Sequence, residues 1–286
     1  MRKLFILLIF SCCALFVTGQ QVGLKVMTFN IRYDNPGDGD YTWQKRIPLV
    51  KELLQQEQPD IMGFQEALKN QVDGLQGLLP GHSWSGVGRD DGKEKGEYSV
   101  IFYRKNRFKK VDGSTFWLSE TPGVPGSRSW NTACTRIVTW VKLKDQNSNR
   151  FLFVFNTHFD HASPTAREES AKLLQKKISE IARNTSTIIT GDFNDTVSSI
   201  PIQTLTSGPE ALVNTRNLSS TPPEGPDYSF IGFPFNPQKG NVIDMIFLKN
   251  KGKINVIRHR VVTYHKDSKY PSDHLPVCTE LEIPIR

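Results

Sequence analysis

The sequence predicts an α/β protein in which two packed, mixed β-sheets are flanked by helices. Three observations point there. Short apolar runs, bounded by Gly, Pro, Asn or Asp, recur along the 286 residues. Amphipathic helices lie between some of these runs but not all, so the strands cannot form one uniformly alternating β-α array. No repeat, low-complexity tract or linker divides the chain, and 37% hydrophobic content suffices for a sizeable core.

Leu24 to Ile31 reads as a buried strand, and Asp34 to Tyr41 as a Gly- and Asp-rich loop. Ile47, Val50, Leu53 and Leu54 give Trp43 to Gln56 one apolar helical face. Pro59-Asp60 stops that helix and starts a short strand, Ile61 to Phe64, with Glu66 just past it where a helix should begin. Tyr98 to Tyr103, Phe108 to Leu118 and Arg136 to Leu143 read as strands. The loop Ser119 to Asn131, with two prolines and two glycines, is expected to be exposed and shaped by turns. Phe151 to Asn156 is a strand that delivers His158. Ser163-Pro164 is an N-cap and first-turn pair ahead of a helix marked by Ala171, Leu174, Ile178 and Ile181. Thr187 to Thr190 delivers Asp192, and Val242 to Leu248, Ile254 to Val262 and Leu275 to Ile283 complete the strands.

Residues 1–19 stand apart. Arg2 and Lys3 precede an apolar run, Leu4 to Val17, and small residues follow at Thr18-Gly19, the pattern of a secretory signal peptide. The run is shorter than the roughly 20 residues a bilayer span needs. Residues 20–286 are therefore expected to form a single secreted domain, periplasmic or extracellular, with no integral membrane segment. Loss of Arg2 and Lys3 removes two positive charges from a formal +7. The modest remaining excess suits an anionic substrate or plain solubility equally. Cys12 and Cys13 leave with the leader. Cys134 and Cys278 remain, free or paired, since sequence does not say whether their Cα atoms come within reach. Asn184, Asn194 and Asn217 begin glycosylation sequons, but Asn194 is a poor acceptor if it lines a site.

The chemistry concentrates at strand ends. In Gly191-Asp192-Phe193-Asn194 a glycine permits a tight turn, and a carboxylate and an amide follow two residues apart. If the segment stays extended, both point the same way and can grip a water and a phosphate oxygen. The alternative is a turn in which they cap backbone groups. Ser272-Asp273-His274 sits at the mouth of another strand. Asp244 lies inside an apolar run, where a carboxylate is costly unless paired. A histidine would satisfy it and have its tautomer fixed in return; Lys or Arg is the other option. Asn30 and Glu66 each follow an apolar strand, and oxygen ligands at such positions suit Mg²⁺, with Mn²⁺ as a substitute. Zinc fits less well, because His158 and His161 lack a convincing third ligand. There is no Gly-x-Ser-x-Gly elbow, phosphate-binding Gly-rich loop or His-Glu-x-x-His.

Taken in order from Leu24 to Ile283, these segments resemble the endonuclease/exonuclease/phosphatase superfamily, the relatives of pancreatic deoxyribonuclease. The resemblance implies a four-layered α/β sandwich and metal-assisted hydrolysis of a phosphate ester. It implies that Glu66 is the principal metal ligand, with Asn30 and Asp273 beside it, and that Asp192 and Asn194 position water and the scissile phosphate. Asp244 and His274 match the family's Asp–His dyad. His158 matches a second histidine, Glu97 a glutamate that supports it, and Arg136 a phosphate-contacting arginine. The leading expectation is a phosphodiesterase of nuclease type. The alternatives are a phosphatase or phosphodiesterase acting on a sugar phosphate, inositol phosphate or sphingomyelin, and a non-catalytic binding protein. Nothing points to a partner protein, so a monomer is expected.

Overall fold

Two six-stranded sheets lie face to face in the computed structural model, which describes residues 20–286 apart from 234, 236–240 and 250–253. The leader expected over residues 1–19 lies outside the described residues.

The first half of the chain runs β1 (Gln21–Asn30), a 3-10 turn (Pro36–Tyr41), α1 (Trp43–Glu57), β2 (Ile61–Ala67), α2 (Lys69–Leu78), β3 (His82–Ser85), β4 (Tyr98–Arg104), β5 (Phe108–Trp117) and β6 (Ile137–Asp145). The second half runs β7 (Arg150–His158), α3 (Pro164–Ala182), β8 (Thr187–Asp192), α4 (Ile200–Thr206), β9 (Val213–Asn214), α5 (Thr215–Leu218), β10 (Asp244–Lys249), β11 (Asn255–Val261) and β12 (Val277–Pro284). One sheet has the order β11-β12-β1-β2-β4-β3 and the other β5-β6-β7-β8-β10-β9. Each is antiparallel except for one parallel pair near its centre, β1 with β2 and β7 with β8.

Three apolar clusters explain the layering. Val26, Ile61, Ile101, Val154, Ile188 and Ile246 fill the space between the sheets. Val50, Leu53, Val72 and Leu75 seat α1 and α2 on the outside of the first sheet. Leu174, Ile178, Ile202 and Leu205 seat α3 and α4 on the outside of the second. The result is the expected helix–sheet–sheet–helix sandwich. Central strands are apolar on both faces because both are covered, which is why they read as continuous runs in the sequence.

Several local expectations are corrected. The strand expected to stop at Phe64 continues to Ala67, and Glu66 lies inside it at a β-bulge. The helix expected at Glu66 begins at Lys69. Gly191 makes no turn; it lies in β8, where an added Cβ would fall 2.9 Å from Thr157 O. Neither α4 nor α5 was anticipated, since each is only a turn or two long. Cys134 and Cys278 are both free, Cys278 buried in the core beneath α1. Among the described residues no helix is long and apolar enough to cross a membrane.

Candidate active site

The two parallel pairs set the position of the site. Strands that run the same way bring their carboxyl ends to one edge, where open α/β sheets bind ligands. Asn30 ends β1 in register with Gln65 of β2, and His158 ends β7 level with Asp192 of β8. Across the antiparallel pair, Asp192 faces Asp244, the first residue of β10. His274 arrives from the loop before β12. It is pinned by a bridge to Phe230, whose ring meets the imidazole edge-on at 5.0 Å.

Beneath these ends a buried polar network ties the sheets together. Gln65 donates through Nε2 to Asn156 Oδ1 (2.6 Å) and to Thr28 Oγ1 (3.0 Å). Asn156 donates to the carbonyls of Phe64 and Val100, and Thr190 closes the cluster on Asn156 Oδ1. Gly63 makes room for it, since a Cβ there would lie 2.1 Å from Thr190 Oγ1. With nearly every polar atom paired, this cluster rigidifies the shelf on which the site residues stand.

One side of the cleft is acidic. Glu66 adopts φ 63, a left-handed conformation that costs a non-glycine residue energy and that the bulge imposes. Its Oε1 accepts from Asn30 Nδ2 (3.0 Å) and its Oε2 from the Tyr33 amide (3.2 Å), so the carboxylate is held with lone pairs to spare. Asn30 uses its carbonyl oxygen on the Arg32 amide and also donates through Nδ2 to Asp192 Oδ2 (2.9 Å). In this arrangement Asn30 orients the two carboxylates. Asp273 is buried beside them. Burial pushes its carboxyl up and the Glu66 charge adds to that, opposed by His274, Arg32 and Arg46. Carboxylate oxygens crowded at one corner of the cleft are a donor set that fits a hard divalent cation.

The centre of the cleft is the Asp192–His274–Asp244 line, whose ligand atoms all lie within 4.8 Å of one another. His274 donates through Nδ1 to Asp244 Oδ2 at 2.8 Å, and its Nε2 stands 3.7 Å from Asp192 Oδ2. Burial alone would lower the His274 pKa. The charges of Asp244 and Asp192 outweigh it and raise the pKa well above the ordinary value, so the ring is cationic. Asp192 is pushed up to about 7 by burial and by Asp244, against the pull of His274 and hydrogen bonds from Asn30 and the Asn194 amide.

The far side is basic. Asn194, also left-handed (φ 50), donates through Nδ2 to His158 Nε2 at 2.9 Å and to the Phe159 carbonyl. The same residue closes an Asx turn, its amide on Asp192 Oδ1 at 2.9 Å, so the segment is the turn rather than the extended strand, and the left-handed backbone is what turns Asn194 toward His158. Glu97 approaches His158 Nδ1 only to 4.0 Å, because Arg89 Nη1 takes its Oε2 at 2.6 Å. Burial, Arg136 and Arg89 depress the His158 pKa well below the ordinary value. His158 is therefore an uncharged ring, unlike His274. Arg136 is 4% exposed and donates through Nη2 to His161 Nδ1 at 2.8 Å, while its Nε and Nη1 have no hydrogen-bond partner among the described residues. A guanidinium can only donate, so the His161 proton sits on Nε2.

All ten expected residues converge on this one edge, and all but Asn30 and Asp244 line a cavity of about 540 Å³. Sequence reasoning missed three supports. Arg32 bonds Asp38 through two nitrogens and sits 3.9 Å from Asp273. Arg46, buried under α1, ties the carbonyls of Ile31, Arg32 and Pro271 together. The signal for it was an arginine between Trp43 and Val50 on the apolar helical face. Asp160 accepts from five groups between Thr132 and Ser163. Burial would raise its pKa, but these bonds and Arg136 hold it down to about 2.

Comparison with known proteins agrees with this geometry. Residues 27–274 match the model of the endonuclease/exonuclease/phosphatase family. A family member from Bacteroides vulgatus is 37% identical and superposes with a TM-score of 0.87, covering 92% of this chain and 99% of its own. A mannosyl-6-phosphatase from Bacteroides thetaiotaomicron is 35% identical with a TM-score of 0.84, covering 90% and 99%. The human Nocturnin catalytic domain shares the fold at 21% identity, with a TM-score of 0.71 and coverage of 93% and 97%.

Proposed function

The chain belongs to the endonuclease/exonuclease/phosphatase family, and from that premise we propose that it is an exported, divalent-metal-dependent phosphoric ester hydrolase whose substrate is a small phosphorylated molecule, a sugar phosphate in the first place. The observation that carries the reading is the Nη1 corner of Arg136. It belongs to a buried guanidinium whose Nε lies 3.5 Å from Asp160 Oδ2 and whose Nη1 has no hydrogen-bond partner among the described residues, in the same cleft as the Asp192–His274–Asp244 line. Such a group calls for an anion, and a phosphoryl oxygen is the acceptor it matches.

Mg²⁺ or Mn²⁺ fits the oxygen set of Glu66 and Asp273, with Asn30 orienting; when bound, it polarises the phosphoryl oxygen and stabilises the leaving one. Arg136 holds the phosphate from the opposite wall. Asp192, with a carboxyl near neutrality, takes the proton of the attacking water. Its neighbour His274, kept cationic by Asp244, offsets negative charge on the phosphorus side. Asn194 fixes the His158 ring by occupying Nε2, which leaves Nδ1 as the donor.

Two features favour a small substrate over a polymer. The other arginines around the cleft are already engaged: Arg32 with Asp38, Arg89 with Glu97, Arg167 with Asp195. Among the described residues these pairs leave no free arginine stripe of the kind that tracks a nucleic-acid backbone. The relative named for a mannosyl-6-phosphatase is also far more similar in sequence than the Nocturnin domain. His161, with its Nε2 proton at the mouth, is placed to meet a hydroxyl of the leaving group.

The test is hydrolysis by the protein from Gln20 onward, with Mg²⁺ or EDTA. The panel is mannose-6-phosphate, other sugar and inositol phosphates, bis-p-nitrophenyl phosphate, sphingomyelin, plasmid DNA and RNA. Turnover of sugar phosphates that EDTA abolishes is expected. Cleavage of nucleic acid with sugar phosphates untouched overturns the substrate class, and turnover indifferent to EDTA overturns the metal dependence. Recovery of the protein inside cells with residues 1–19 intact overturns export.

A further inference from the structure

The basic wall of the cleft carries a second set of metal-binding side chains. Cys134 Sγ, a carboxylate oxygen of Asp160 and a ring nitrogen of His161 all lie within 4.8 Å of one another. Cys134 is half-buried and His161 exposed, and both line the catalytic cavity. None of the three belongs to the acid corner of Asn30, Glu66 and Asp273. The fold prepares the arrangement through Asp160. Its Oδ2 accepts from Thr132 Oγ1 and the Ala133 amide, and its Oδ1 from the amides of Ala162 and Ser163. One carboxylate thereby staples the loop that carries Cys134 to the turn that carries His161. Those bonds fill its oxygens, so Asp160 contributes charge and position, and the direct ligands are the thiolate and the imidazole.

Arg136 donates to His161 Nδ1, so that atom offers a lone pair while the ring proton sits on Nε2. A metal ion can take Nδ1 in place of the guanidinium with no change of tautomer. The guanidinium, 2.8 Å from His161 and 3.5 Å from Asp160, shows that this corner already suits a cation. Tetrahedral ligands of one zinc ion stand roughly 3.5 Å apart, so the side chains must close by about 1 Å. Cys134 precedes β6 and His161 follows β7, and neither lies in a strand or helix, so closure leaves the sheet in place. Sulfur and imidazole nitrogen favour Zn²⁺, whereas the oxygen set of the acid corner favours Mg²⁺. We propose that Cys134 and His161, steadied by Asp160, form a second metal site for a thiophilic divalent cation of the Zn²⁺ class, with water completing its shell. The ion takes the nitrogen that anchors Arg136 and sets a second positive charge beside it, so the guanidinium leaves its seat and the phosphate ester binds more weakly. The site does not depend on the hydrolase reading; its effect on the ester rests on it.

Co²⁺ is the spectroscopic probe, added to the protein from Gln20 onward, which lacks Cys12 and Cys13, with Mg²⁺ saturating and thiols reduced. Cys278 is buried in the core, so Cys134 is the accessible thiol. A thiolate-to-cobalt absorption band in the near ultraviolet, displaced by Zn²⁺, is expected. Cys134→Ser should lack the band, and His161→Gln should bind more weakly by at least about tenfold. No band in the parent, or a band that survives Cys134→Ser, overturns the site, and unweakened binding in His161→Gln removes the imidazole from it. Turnover of bis-p-nitrophenyl phosphate at fixed Mg²⁺ is the second readout. Zn²⁺ should raise KM in the parent, reversibly on chelation, and do so at about tenfold higher concentration in Cys134→Ser, whose own turnover is unchanged. Equal inhibition of the two proteins places the zinc in the acid corner and overturns the coupling while the hydrolase reading stands. If no ester is turned over, the coupling falls with the hydrolase reading, and the cobalt band decides the site alone.

Discussion

His158 and His274 both stand at strand mouths on one cleft, both are almost fully buried, and they are held in opposite protonation states. His274 has carboxylates on two sides, Asp244 at 2.8 Å and Asp192 at 3.7 Å. His158 also has a carboxylate close by, Asp192 at 3.5 Å from Nε2, but Arg136 and Arg89 stand against it and the one glutamate within reach is claimed by Arg89. Burial pushes both rings toward neutrality, so the balance of nearby charges decides the outcome. A cleft with one cationic and one uncharged imidazole can offset charge on one wall and orient groups on the other.

The strongest way to break this contrast is to remove its charged side. His274→Ala and Asp192→Ala are each expected to lower turnover on the order of 10³-fold or more, with circular dichroism unchanged. Near-normal kinetics in either would remove that residue from the chemistry. Asp244→Asn is expected to cost less, about 10²-fold, and to act through pH. Without the carboxylate the His274 pKa falls, so the cation is lost at lower pH and the alkaline limb of the pH–rate profile moves toward neutrality. An alkaline limb that stays in place would separate His274 from Asp244.

A gentler change should convert the uncharged side toward the charged one. Arg89→Met deletes one guanidinium and releases Glu97 to meet His158 Nδ1. The His158 pKa is then expected to rise by about one unit or more, read by NMR titration in EDTA. A ring that stays put would mean burial alone sets its state.

The smallest effect concerns stability. The folded-state pKa of Asp192 is about 7, above the ordinary carboxylate value of 3.8. Its favourable contribution is therefore present in acid and lost as pH rises through about 7, where the ionised group becomes a burden to the fold. Asp192→Asn is expected to raise Tm by a few degrees at pH 8 in EDTA and by less at pH 5. Equal shifts at both would mean that ionisation is not the cause.

Much of the site was legible because strand and polar residue are adjacent in the sequence. Asn30, His158 and Asp192 each close an apolar run, and parallel pairing brings such ends together without further information. Asp244 was legible as a carboxylate in an apolar run that needed a partner. Less was visible where the partner lies far away. Glu97 was expected to support His158, but its oxygen goes to Arg89, and nothing in Gly96-Glu97-Tyr98 marks that choice. Glu66 was placed beyond its strand because a one-residue bulge with left-handed φ leaves no periodic trace. The two cysteines stayed open until the fold separated them.

The sequence by itself determined the architecture and the inventory of the site: apolar runs that must be covered on both faces, and the carboxylates, amides and imidazoles at their ends. The tertiary structure alone decided the charge each group carries. A pKa answers to charges a few ångströms away in a poorly polarisable interior, and those charges come from residues remote in the chain. His274 answers to Asp192 and Asp244, His158 to Arg89 and Arg136. Periodicity is a local property of the chain and can be read along it, whereas the electrostatic field at a buried atom is a sum over the folded molecule.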